Sequence, residues 1–121
     1  MYNILFVDDE LVMRSRLHML LDWEKLGYYV VGDAIHGEQA LDILHAVPVD
    51  VVITDIKMPI MDGIRLIGAM AAEGFSPVIL VLSGYDDFAL VREAFKLGAY
   101  DYLLKSDIHE DNKAALMSNI R

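Results

Sequence analysis

Short apolar, β-branched runs alternate five times with longer stretches of helical periodicity, and this strict alternation limits what the chain can fold into. The runs fall at residues 4–7, 29–31, 49–53, 78–82 and 100–104. The third, broken only by Asp50, and the fourth, VILVL, are apolar on successive residues. Strands of that kind are covered on both faces, as in a parallel sheet between helix layers. Helical periodicity falls near 11–22, 38–46, 64–72, 88–96 and 110–120. Leu17, Leu20 and Leu21 share one face of the first helix, and Ala40, Leu41 and Leu44 one face of the second. Asp86 and Asp87 stand where the fourth would be capped at its N-terminus. Gly98 stands at its C-terminal cap. Five β–α pairs in this order predict an α/β fold with right-handed crossovers. In such doubly wound sheets the functional site lies at the carboxyl ends of the strands.

A chain of 121 residues, 55% of them hydrophobic, suits one compact domain spanning residues 1–121. There is no cysteine, which excludes disulfides and thiolate metal sites and fits a reducing compartment. The N-terminal MYNILFVDDE has a four-residue apolar run that ends in acid, so it does not read as a signal peptide. No apolar run approaches the length that spans a bilayer. The formal net charge of −9 argues against gripping a phosphate backbone or an anionic membrane. Neither nucleic acid nor membrane is therefore expected as a direct partner, and a cytoplasmic location is.

The strand ends carry the chemistry. The first ends in Asp8-Asp9, the third in Asp55, the fourth in Ser83-Gly84 and the fifth in Lys105. The second ends in Gly32-Asp33 and reads as peripheral. Any one of these residues alone is most simply a turn, a cap or a solvated side chain. Jointly, four of the five strand ends offer three carboxylates, a hydroxyl and an ammonium. Three carboxylates against one ammonium leave two uncompensated negative charges, and crowding of this kind raises carboxylate pKa values and opposes folding. One Mg²⁺ would balance them, because it takes carboxylate, carbonyl and water ligands and keeps several waters. A carboxylate attacking phosphorus in line, with a cation and Lys105 stabilising the transferred group, is ordinary covalent phosphoryl chemistry.

The segments ILFVDDE, VVITDIKMPIMDG, VILVLSGYDD and AYDYLLK, in that order, resemble the receiver domain of bacterial two-component response regulators. The likeness runs from about residue 3 to residue 107. It implies a flavodoxin-like, five-stranded parallel sheet of order 2-1-3-4-5 with five helices on two faces. It also implies that Asp55 takes a phosphoryl group from a histidine kinase. Asp9, Asp55 and the backbone carbonyl of Lys57 would then hold Mg²⁺, with Asp8 acting largely through water. Lys105 would pair with the phosphoryl group, Ser83 would be the switch hydroxyl and Tyr102 its coupled aromatic. Pro59 and Gly63 would shape the loop after the acceptor. Lys57 and Tyr85 flank the approach of water and would tune the lifetime of the phosphate. The surface of the fourth helix, fifth strand and fifth helix would change, and it could support a phosphorylation-dependent homodimer.

Many receivers carry proline after the active-site lysine, but here Ser106 follows Lys105. A cis bond costs about 2.5–4 kcal/mol without proline, so the Lys105–Ser106 bond is expected to be trans, or else cis under strain. The segments DWEKLGYYVVG and SGYDDFALVREAFKLGAYDYLLKS are similar to receivers of AraC-type transcriptional regulators. The chain stops at Arg121 with no output domain, so it reads as a receiver cut from a longer DNA-binding regulator. A natural stand-alone receiver in a phosphorelay is the alternative. The resemblance implies a signalling switch with at most slow autophosphatase activity. An Asp-nucleophile phosphohydrolase would need an acid two residues after the nucleophile, where this chain has Lys57.

The remaining residues read more simply. The four histidines match no metal-ligand spacing, the seven methionines read as core and loop filling, and Trp23 as an anchor between the first helix and second strand.

Overall fold

A computed structural model describes residues 1–84 and 86–108. Its elements follow the order β1 (Tyr2–Val7), α1 (Leu11–Leu20), β2 (Tyr28–Ala34), α2 (Gly37–Ala46), β3 (Val51–Asp55), α3 (Gly63–Ala72), β4 (Val78–Ser83), α4 (Phe88–Leu97) and β5 (Asp101–Leu104). A 3₁₀ turn, Lys105–Asp107, follows β5. The strands form one sheet of order β2-β1-β3-β4-β5, and every pairing is parallel. The order and alternation match the sequence-based expectation. The helix expected at 110–120 lies outside the described residues.

Period-two alternation splits the core into two layers. Leu5, Val7, Val52, Ile79 and Val81 face Ala40, Leu44, Leu66, Ile67, Met70, Val91 and Ala94 of α2, α3 and α4. Ile4, Phe6, Ile53, Leu80, Leu82 and Leu103 face Met13, Leu17 and Leu20 of α1. β3 is buried along its whole length, as its near-continuous apolar run requires. Leu21 and Trp23 pack into the second layer just beyond α1. The Trp23 indole N–H donates to the Leu17 carbonyl at 2.8 Å, satisfying an acceptor in the last turn of α1.

Several local expectations need correction. β2 is longer than the predicted 29–31, so Gly32 and Asp33 lie inside it rather than at its end. Its register against β1 slips between Ile4 and Leu5, where Val30 and Gly32 are successive partners and Val31 is bulged. Asp87 occupies the N-cap position of α4 but makes no capping hydrogen bond, and Asp86 lies in the preceding turn. The Asp87 carboxylate turns back instead to accept from the Gly84 N–H at 2.8 Å. Gly98 does close α4, with φ of 118°, the left-handed conformation that favours glycine. No cis peptide occurs among the described residues, so the Lys105–Ser106 bond is trans.

Candidate functional site

Sheet register brings the strand-end residues together. Val7 lies opposite Thr54, which sets Asp8 beside Asp55 across β1 and β3. Asp55 pairs with Leu82, and Ser83 pairs with Leu104, so Ser83 and Lys105 complete the row. Asp8, Asp55 and Ser83 are buried, with 0%, 2% and 1% of their surface exposed, whereas Asp9 is exposed. Buried carboxylates at this density require either partners or a cation. Asp33 joins no part of this row and pairs with His18 at 2.7 Å and Arg14 at 3.8 Å, as a peripheral second strand implies.

Lys105 sits at the centre of the charge cluster. Its ammonium donates to Asp55 Oδ2 at 2.9 Å and to Glu10 Oε1 at 3.3 Å, and lies 3.7 Å from Asp8 Oδ2. Asp55 Oδ1 accepts from the Ile56 N–H at 2.8 Å, and Asp8 Oδ1 from the Glu10 N–H at 2.8 Å. Arg14 donates to the Asp8 carbonyl at 2.8 Å, so α1 anchors the backbone that carries the acidic pair. Neither Glu10 nor Arg14 was singled out from sequence. The third acid of Asp8-Asp9-Glu10 was a legible signal for Glu10, whereas Arg14 had none.

Burial dominates the electrostatics. It pushes the Asp8 carboxyl up to about 6, with the neighbouring Asp55 and Asp9 charges adding to it against the Glu10 N–H and Lys105. Asp55 is also raised by burial, although Lys105 and the Ile56 N–H oppose that. Burial alone would lower Lys105, but its hydrogen bond to Asp55 and the charges of Asp55, Asp8 and Glu10 prevail and raise it to about 12.

The residues fit a divalent cation. One carboxylate oxygen from each of Asp8, Asp9 and Asp55 lies within 4.8 Å of the other two. Asp8 Oδ2 is buried and makes no hydrogen bond. A buried carboxylate oxygen with no donor is a costly arrangement that a hard oxygen-seeking ion such as Mg²⁺ relieves.

The loop after Asp55 is held tightly. The Gly63 N–H donates to the Ile56 carbonyl at 2.7 Å. A Cβ on Gly63 would collide with the Asp55 carbonyl oxygen, so glycine is required for the close approach of α3 to β3. The Met61 N–H donates to the Pro59 carbonyl at 2.7 Å across Ile60, whose φ is +67°. This is a strained γ-type turn at a β-branched residue. Lys57 leaves the same loop, and its ammonium pairs with Asp87 Oδ1 at 2.9 Å instead of contacting Asp55.

The Ser83 hydroxyl is buried with no hydrogen-bond partner. Tyr102 is 42% exposed and meets Phe95 edge-on, with ring centroids 6.2 Å apart. Ser83 and Tyr102 line one cavity of about 410 Å³ together with Phe88, Val91 and Phe95. Tyr85 lies outside the described residues.

The model of the response regulator receiver domain family matches residues 4–116. The uncharacterized transcriptional regulatory protein YesN of Bacillus subtilis is 42% identical over 106 residues, covering 87% of this chain and 28% of that protein. The transcriptional regulatory protein FixJ of Bradyrhizobium diazoefficiens is 36% identical over 115 residues, covering 95% of this chain and 54% of that protein. The chain thus spans about half the length, or less, of these relatives. Among solved structures, the REC domain of AraT from Geobacillus stearothermophilus superposes with a TM-score of 0.80 at 31% identity, covering 99% of this chain and 98% of that one. Full-length FixJ from B. japonicum gives 0.81 at 35% identity, covering 99% of this chain and 58% of that one. With the acidic row, the lysine and the parallel sheet in place, the chain belongs to the response regulator receiver domain family.

Proposed function

We propose that this domain is a phosphoacceptor switch in which Asp55 takes a phosphoryl group from a sensor histidine kinase. The observation that carries this reading is the contact of Asp55 Oδ2 with the Lys105 ammonium at 2.9 Å, beside the acidic pair of β1. The Asp55 carboxylate attacks phosphorus in line. A new O–P bond forms as the bond to the donor imidazole breaks and its electron pair leaves with the nitrogen. Lys105 then bridges the acyl phosphate, as its high pKa keeps it cationic throughout. Asp8, Asp9, Asp55 and the Lys57 carbonyl would hold Mg²⁺, which supplies charge neutralisation at the transferred group.

The product carries nearly two negative charges and further acceptor oxygens. The buried Ser83 hydroxyl has no partner and stands at the end of β4 beside β3, so it is free to donate to those oxygens, and its inward movement would vacate space in the cavity that Tyr102 also lines. Movement of the α4–β5 surface, with the segment predicted as helix at 110–120, would carry the signal to a homodimer partner or to a DNA-binding output domain. The transcriptional relatives support that output, and with it a cytoplasmic location. No described helix is long and apolar enough to cross a membrane. Bulky Lys57 beside the site, with Tyr85 two residues after Ser83 in the sequence, favours slow loss of the phosphate.

The test is intact mass after incubation with Mg²⁺ and a small phosphodonor. A single phosphoryl addition that disappears in Asp55→Asn is expected, and it should decay slowly. No addition, or steady turnover of the donor, would sink the reading.

A further inference from the structure

Three features stand outside the Asp55–Lys105 pair: the Ser83–Tyr102 cavity, the exposed apolar face of α1, and the buried carboxylate of Asp87. The first belongs to the switch already described, and nothing in the structure shows what covers the second. Asp87 has a geometry of its own.

Asp87 is 6% exposed, although it stands at the start of a surface helix. It does not cap that helix. One carboxylate oxygen accepts from the Gly84 N–H at 2.8 Å, and the other pairs with the Lys57 ammonium at 2.9 Å. Gly84 follows the switch hydroxyl at the end of β4, and Lys57 follows the acceptor at the end of β3. Both border the cleft that contains Asp55 and Lys105, together with Asp87 itself. So a buried anion already occupies a backbone donor and a cation at the mouth of the site where a second anion is to arrive.

We propose that Asp87 is a positioning residue that acts as an internal anion. In the resting domain it claims the Gly84 N–H and the Lys57 ammonium, and a phosphoryl group on Asp55 competes with it for both. The inference rests on the phosphoacceptor reading. A tetrahedral phosphoryl group offers three acceptor oxygens against the two of a carboxylate, and charge-assisted bonds of this kind are the strong ones. Withdrawing Lys57 and Gly84 from Asp87 frees the start of α4 from the end of β4, so arrival of the phosphate and loss of that contact become one event. The device therefore sets the threshold of phosphorylation and helps couple it to α4. It also explains why Lys57 contacts Asp87 rather than Asp55 in this state.

Three variants test it. Asp87→Asn keeps an oxygen for the Gly84 N–H but removes the negative charge that pairs with Lys57. Asp87→Ala removes both contacts. Lys57→Gln is a substitution at a side chain that is 60% exposed, and it breaks the pair from the other side without disturbing the core. The readouts are the initial rate of mass gain with a small phosphodonor in Mg²⁺, and the affinity for beryllofluoride, a phosphoryl mimic, by titration calorimetry. Asp87→Asn should phosphorylate about fivefold faster than the parent and bind beryllofluoride tighter by a similar factor, a modest coupling between sites. Asp87→Ala should match or exceed it, and the gain should shrink when Lys57→Gln is combined with Asp87→Asn. A merely structural Asp87 predicts the opposite sign, slower phosphorylation and weaker binding from a loosened loop. Parental rates in folded Asp87 variants, or an undiminished gain in the Lys57→Gln background, would overturn the proposal while leaving the phosphoacceptor reading intact. If the parent itself takes up no phosphoryl group, both readings fall.

Discussion

Asp8→Asn should stabilise the metal-free domain while weakening its response to Mg²⁺. Asp8 is fully buried, and its Oδ2 has no hydrogen bond, only the Lys105 ammonium 3.7 Å away. Burial raises its pKa from 3.8 to about 6, a difference that converts to roughly 3 kcal/mol of unfavourable charge at neutral pH. Asparagine keeps an oxygen for the Glu10 N–H and replaces the orphaned oxygen with donors facing the other carboxylates. Lys105 keeps Asp55 and Glu10. Allowing for the lost attraction to Lys105, the variant should gain about 1–2 kcal/mol, or some 3–10 °C in Tm for a domain of this size. The sign of the pH dependence follows from the raised pKa. The folded domain holds the Asp8 proton to higher pH than the unfolded chain, so metal-free stability falls as pH rises from about 4 to about 6. The variant should show a shallower fall, since Asp55 is raised as well. Thermal melts in chelator and in Mg²⁺, repeated across that pH range, measure all of this. A variant that melts at or below the parent in chelator, or that gains as much from Mg²⁺ as the parent, would refute the reasoning.

Asp9 is exposed, so Asp9→Ala should leave metal-free stability unchanged or slightly higher yet lose most of the Mg²⁺-induced Tm shift and block phosphorylation, read by melting and intact mass. Ser83→Ala should still accept a phosphoryl group on Asp55, but amide exchange across α4 should no longer respond; an equal response in parent and variant excludes the hydroxyl as the coupling element. Gly63→Ala should cost about 1–3 kcal/mol in urea unfolding, because its Cβ drives into the Asp55 carbonyl oxygen, and it should slow phosphorylation by displacing that residue.

Much of the fold and of the site was legible in the sequence, for a local reason. Strand and helix periodicity is written in short windows, so runs such as VILVL, and the alternation of strand and helix, show without knowledge of any contact. Strand ends in a parallel sheet all open on one edge, which is why Asp8, Asp9, Asp55, Ser83 and Lys105 could be gathered from the chain alone. Tertiary structure decided what depends on which partner a side chain finds. The sequence marks Asp87 equally well as a helix cap; only the close approach of the loops after β3 and β4 makes it the partner of Gly84 and Lys57. Arg14 becomes an anchor for the acidic pair because α1 returns along β1. The bulge at Val31 and the true length of β2 follow from pairing register, which no local pattern of β-branched residues specifies. Even the pKa of Asp8 is a tertiary property, since its largest cause is burial beneath neighbours far away in sequence.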